Sequence, residues 1–193
     1  MLKTVHTYAG YTLGVALIVR IIWGFVGSKT SRWINILPVT GTYWRDLGVY
    51  LKSLGGGSGE RHYVGHNPLG RLMVTAVFAL LIAQVATGII VGGADVFAWP
   101  FGDYFRNWIA ASGVDPASLL PANQKGVDPA KYKAMREFRA PFRLSHEYIF
   151  YIFLALIPLH ILGVIWAEMR DRVAIVSSMI TGRKGLPQKP VDM

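Results

Sequence analysis

The stretch HEYIFYIFLALIPLH, residues 146–160, is apolar apart from one glutamate and a histidine at each end. Imidazole is the commonest metal ligand among side chains and a proton carrier near neutral pH, so both positions invite a chemical reading. His146 and His160 are fourteen residues apart. At ~100° per residue the two rings project within ~40° of one another around a helix, and the helical rise separates them by ~21 Å. Two imidazoles at that distance cannot share one metal ion. They have the face and spacing that two cofactors stacked across a bilayer require.

A haem iron takes axial histidines from facing helices, so each of these residues needs a partner at matching depth. His6 opens the first apolar segment as His146 opens the third. A His6–His146 pair can ligate one b-type haem near one membrane surface, leaving His160 as one ligand of a second haem deeper in. Gly10 and Gly14 follow His6 on the same ridge, where small residues leave room for a flat macrocycle and let helices approach. Arg20 lies fourteen residues after His6, on the histidine's face. An intramembrane arginine is costly unless paired, and a haem propionate is a suitable partner. Gly88, Gly92 and Gly163 are compatible with close helix packing. Each feature also has a plainer explanation: a helix-end histidine is often interfacial, glycines four apart are common in membrane helices, and an arginine can snorkel. His62 and His66 are four apart in RHYVGHNP, but Gly65 and Pro68 favour a loop or headgroup contact over a metal site.

Three apolar segments, about 8–26, 72–91 and 147–167, must position these groups. Each approaches the ~20 residues that cross a bilayer as a helix, the one form that satisfies an isolated spanning backbone internally. The chain is 52% hydrophobic and 16% charged, with a mean hydropathy of +0.36. This composition excludes an ordinary soluble domain and predicts an all-α membrane protein, a helical bundle with three spans in one domain over 1–193. The absence of cysteine excludes disulfides, iron–sulfur ligation and covalent c-type haem attachment by this chain. The net charge of +9 reads as topology signal and lipid contact, not nucleic-acid binding. No cleavable signal peptide is visible. Residues 28–71 and the tail 168–193 are basic and are placed in the cytoplasm. The segment 92–145, with seven basic and five acidic residues and several aromatics and prolines, is read as an ordered periplasmic cap holding one short helix near 102–112. Lys131, Lys133, Arg136, Arg139 and Arg143 lie near the third span and weigh against that orientation. The topology also puts the N-terminus outside, so either a short tail crosses or a helix precedes this sequence.

Four stretches, HTYAGYTLGVALIVRIIWGFVGSKTSRW (6–33), GHNPLGRLMV (65–74), HEYIF…LIPLHILGV (146–164) and MITGRKG (179–185), together resemble the bacterial cytochrome b561 family, close to the b-type cytochrome subunits of membrane-bound nickel–iron hydrogenases. The resemblance covers nearly the whole chain. It implies a four-helix bundle with two b haems, in which His6 matches the second-helix ligand and His146 and His160 match the two fourth-helix ligands. One complete haem, His6–His146, follows. The family's first helix, with an Arg-x-x-His-Trp-like motif whose histidine pairs with the residue at position 160, has no counterpart, so the three spans correspond to helices two to four.

The expected function is electron transfer in the bacterial inner membrane between a periplasmic redox protein, a hydrogenase or c-type cytochrome, and the quinone pool. Quinone oxidoreductase activity would then belong to a complex. His62, His66 or Glu60 are weaker candidates for assisting quinone protonation. A non-redox membrane anchor for a peripheral enzyme and a transporter subunit with a histidine-lined proton path are the rival readings.

Overall fold

The structure, a computed structural model, describes residues 2–54, 63 and 66–171. Glu60, Arg61, His62 and Gly65, the MITGRKG motif and the basic residues from Arg172 onward lie outside the described residues. Among the described residues six α-helices follow in order: α1 (Leu2–Val26), α2 (Trp33–Ile36), α3 (Tyr43–Leu54), α4 (Pro68–Val96), α5 (Gly102–Ile109) and α6 (Pro129–Asp171). The described residues contain no named strand, only an isolated bridge between Ala110 and Val127. Among the described residues three helices, Leu2–Val26, Pro68–Val96 and Pro129–Met169, are long and apolar enough to cross a membrane. Val15, Ile18, Leu154, Leu159 and Leu162 on them are exposed, which suits lipid tails that are as apolar as the side chains themselves.

All three long helices extend past the apolar segments read from sequence, and two of the extensions have a clear cause. Asn67 caps α4: its side-chain oxygen accepts from the Gly70 N–H at 2.7 Å, and Pro68 occupies the first helical position. Asp128 caps α6 in the same way, accepting from the N–H groups of Ala130 at 2.9 Å and Lys131 at 3.1 Å, with Pro129 first in the helix. A polar cap followed by proline is a strong start signal. The expected cap 92–145 therefore includes the first turns of α6, because residues 129–145 are already helix. At 43 residues, α6 is ~65 Å long, about twice the hydrocarbon thickness, and its charged first turns extend beyond it. The basic segment 28–71 contains a twelve-residue helix, α3. Its buried Tyr43, Leu47 and Tyr50 follow a helical stripe that the neighbouring glycine run obscures.

Two compact units divide the chain within the long helices. The first, Met1–Val19 with Leu80–Ile152, holds a core of Ala94, Phe105, Ile109, Ala110, Leu119 and Met135. Phe105 and Ile109 lie on one face of α5, so the connection between α4 and α6 is packed and ordered by apolar burial. The helices of this unit are also tied by charge. Asp95 on α4 pairs with Arg139 on α6 and, at 3.3 Å, with Lys3 on α1. The exposures differ: 17% for Asp95, 14% for Arg139 and 73% for Lys3.

In the second unit, Arg20–Ala79 with Phe153–Met193, Arg71 of α4 donates to the carbonyls of Ile36 (3.3 Å) and Leu37. Its guanidinium also lies 5.3 Å from the Tyr43 ring centre. The Tyr43 hydroxyl donates to the carbonyl of Pro68 (2.9 Å), and the Asn67 amide donates to the Tyr50 hydroxyl (2.9 Å). These bonds fasten α3 to the start of α4. Burial pushes the Tyr43 hydroxyl above its ordinary value of 10.0, with Arg71 opposing.

Two predictions follow from these contacts. Asp95→Asn leaves the Arg139 guanidinium without its counter-charge and should destabilise the protein by about 3 kcal/mol, whereas Lys3→Ala should cost less than about 1 kcal/mol; thermal unfolding in detergent compares them. The neutral Tyr43 hydroxyl should support the fold at every pH below 10.0 and cease to do so as pH rises through its raised value. Tyr43→Phe should flatten that alkaline loss in a pH series of melts.

Candidate functional site

Within the first unit, α1 presents His6 and α6 presents His146. The two imidazole centres are 6.0 Å apart with the ring planes at 86°. His6 is exposed and His146 half-buried. They border a cavity of about 530 Å³ whose lining includes Gly10, Leu13, Val85, Gly88 and Ile89, with Lys3 and Asp95 also on its wall. That volume lies in the range of organic ligand sites. Gly10 faces open space, while Gly14 is buried, where a side chain would begin at ordinary contact distance, 3.4 Å, from Val85. The two glycines that share a ridge thus serve different ends: one leaves room beside His6 and the other lets α1 and α4 approach.

His146 is held from behind by α4. Its Nδ1 lies 3.1 Å from the Gln84 carbonyl oxygen and 3.1 Å from the Thr87 hydroxyl. That hydroxyl is 2.7 Å from the Ala83 carbonyl, where its single proton goes, so it faces the imidazole as an acceptor. The network therefore assigns the ring proton to Nδ1 and leaves a lone pair on Nε2, which receives the Gln84 side-chain amide at 3.2 Å. Gly88 makes this possible. A methyl group there would stand 2.9 Å from Cε1 of His146, so the absence of a side chain is what seats the ring. Glycine at 88 reads from sequence as a packing residue for helices, and what packs on it is an imidazole. Gln84 and Thr87 were not singled out from sequence, although two polar residues three apart inside LLIAQVATGII are the available signal, since polar groups within a span face a partner.

The remaining sequence candidates lie in the second unit. Arg20 is half-buried, with its guanidinium 5.2 Å from the Trp33 ring centre and 5.3 Å from that of Phe78. Two long contacts, both 3.5 Å, reach the Ser31 carbonyl. The Trp33 indole N–H donates to the Ile21 carbonyl at 3.0 Å, and its ring fills the space that Gly24 leaves. His160 is half-buried and makes no hydrogen bond or ring contact among the described residues, and Gly163 faces open space. His66 is exposed and precedes α4 without helical structure.

Among the described residues, no three metal-ligating side chains cluster, so a bare ion finds no donor set. Two imidazoles suit an iron whose other ligands come from a macrocycle. The His6 and His146 ring centres, 6.0 Å apart on different helices, would offer such a group two donors at one cavity. A histidine whose far nitrogen donates to a carbonyl is also the usual arrangement of a metal-binding imidazole. The residue types present therefore fit haem b, for which the Gln84 amide would have to leave Nε2 of His146.

Helical spans with two imidazoles at an apolar cavity have the character of a membrane cytochrome, and comparison with known proteins takes the assignment further. The family described as prokaryotic cytochrome b561 matches residues 1–182, and the chain belongs to that family. It is a multi-pass inner-membrane protein of haem b electron transfer. A probable Ni/Fe-hydrogenase B-type cytochrome subunit of Rhizobium leguminosarum bv. viciae is 27% identical over 95% of this chain and 68% of its own length. Its namesake in Bradyrhizobium diazoefficiens is 25% identical over 95% of this chain and 66% of its own. That of Azotobacter vinelandii is 31% identical over 41% of this chain and 34% of its own. The chain thus spans about two thirds of the length of the first two relatives. No solved structure gives a significant match.

A prediction tests the seat of His146. Gly88→Ala should force the ring aside and weaken haem binding about tenfold. Gly48→Ala on α3, where an added methyl would meet nothing within 4 Å, should leave it unchanged. Haem b per protein, read by absorption of the reduced form, separates the two.

Proposed function

We propose that this chain is the haem b subunit through which a hydrogenase-type redox protein, docked on the periplasmic side, exchanges electrons with the membrane quinone pool. The observation that carries the reading is the pair His6 and His146, two imidazoles from different helices at one cavity. When bound, haem b supplies the one-electron carrier that amino-acid side chains lack. The chain's own residues do the rest. His6 and His146 hold the iron from α1 and α6. Gly10 and Gly14 admit the macrocycle and the close helix that walls it. Leu13, Val85 and Ile89 keep water from the ring and so favour the less charged, reduced state. His160 serves a second haem, and Arg20, which has no carboxylate partner among the described residues, offers its charge to a propionate of that haem. The packed connection between α4 and α6 carries the partner, for which the names of the relatives point to a hydrogenase; a c-type cytochrome is the other candidate. Membership of a cytochrome family favours this reading over a non-redox anchor.

Replacement of the ligands tests it. His6→Ala and His146→Ala should each remove the same b-type component from the reduced-minus-oxidised spectrum of purified protein. His160→Ala should remove a different one. Unchanged haem content in the first two variants would sink the assignment.

A further inference from the structure

Thr87 sits three residues from Gln84 in a mostly apolar span and takes no part in the electron-transfer reading above. A threonine hydroxyl bonded to the carbonyl one turn back is satisfied by that bond alone, and here the Ala83 carbonyl supplies it at 2.7 Å. Its lone pairs, however, face a third group, Nδ1 of His146 at 3.1 Å, and the Gln84 carbonyl reaches the same nitrogen at 3.1 Å. One N–H is thus met by two oxygens on neighbouring turns of α4, and Gly88 removes the one side chain that would hold the ring away from them.

We propose that Thr87 and the Gln84 main-chain carbonyl are positioning groups that fix His146 as its Nδ1–H tautomer and set how strongly Nε2 donates to iron. The inference rests on the reading of His146 as a haem ligand. An imidazole whose N–H is shared by two acceptors is the more electron-rich, a better ligand for ferric iron, and so lowers the reduction potential. Removing one acceptor weakens that donation and favours the ferrous state.

Redox titration of the purified protein tests this with Thr87→Val, which keeps the shape and loses the hydroxyl, and Thr87→Ser, which keeps the hydroxyl. The spectral component lost in His146→Ala identifies the haem concerned. If no component is lost there, the ligand reading itself fails. Given that component, Thr87→Val should raise its ferrous-to-ferric ratio at fixed potential about threefold, which is about 30 mV at 59 mV per tenfold for one electron. Any other component should stay where it was, and Thr87→Ser should keep the parental potential. An unshifted potential in Thr87→Val overturns the inference and leaves the ligand reading intact. If Thr87→Val loses the haem altogether, Thr87→Ser decides: retention at the parental potential supports the role of the hydroxyl, and loss in both shows that the residue only packs.

Discussion

Hydrocarbon offers no water to a stray donor or acceptor, and this constraint shapes the pairing of several polar groups on the long helices, while Gln84 Oε1 and Arg139 Nε have no partner among the described residues. Asp95 is mostly buried, and it is met by Arg139 and Lys3 from two other helices. The His146 N–H meets two oxygens of α4, and its lone pair meets an amide. Arg20 lies against two aromatic rings, the favourable face for a cation that lacks a carboxylate. Lipid gives little drive for apolar helices to associate, so such polar ties and the contacts at Gly14 and Gly88 set which helix faces meet in the first unit.

This logic also explains how much was legible in the sequence. The three apolar segments and the histidines at their ends stand out because length and hydropathy report membrane crossing directly. Helix ends are less visible to hydropathy, since they are set by caps, and the Asn67–Pro68 and Asp128–Pro129 pairs carried that information in full view. Helix α3 was hidden because its stripe of Tyr43, Leu47 and Tyr50 adjoins a glycine-rich run that dominates a compositional reading.

The site divides the same way. His6 and His146 are recognisable by residue type and depth, and family membership independently supplies the haem. The groups behind His146 are not recognisable by type, because a glutamine carbonyl is main chain and a threonine within a span is usually satisfied by its own helix. Only the fold shows that Thr87 and Gln84 converge on one nitrogen. Arg20 has the reverse history: its cost is plain from sequence, while the rings that receive it, Trp33 past the end of α1 and Phe78 on α4, are brought to it only by the fold.

The separation of the two histidines along the chain has a consequence for biosynthesis. His6 emerges from the ribosome 140 residues before His146, an interval of roughly 7–28 s at ordinary elongation rates. During that time α1 and α4 can enter the membrane and meet at Gly14, and Lys3 can find Asp95. Asp95 still lacks the buried half of its counter-charge, and the place at Gly88 is unfilled. The third span brings Arg139 and His146 together, seven residues apart on one helix. The element that neutralises Asp95 is thus the element that, on the proposed ligation, would complete the ligand pair, so that cofactor capture would follow helix assembly.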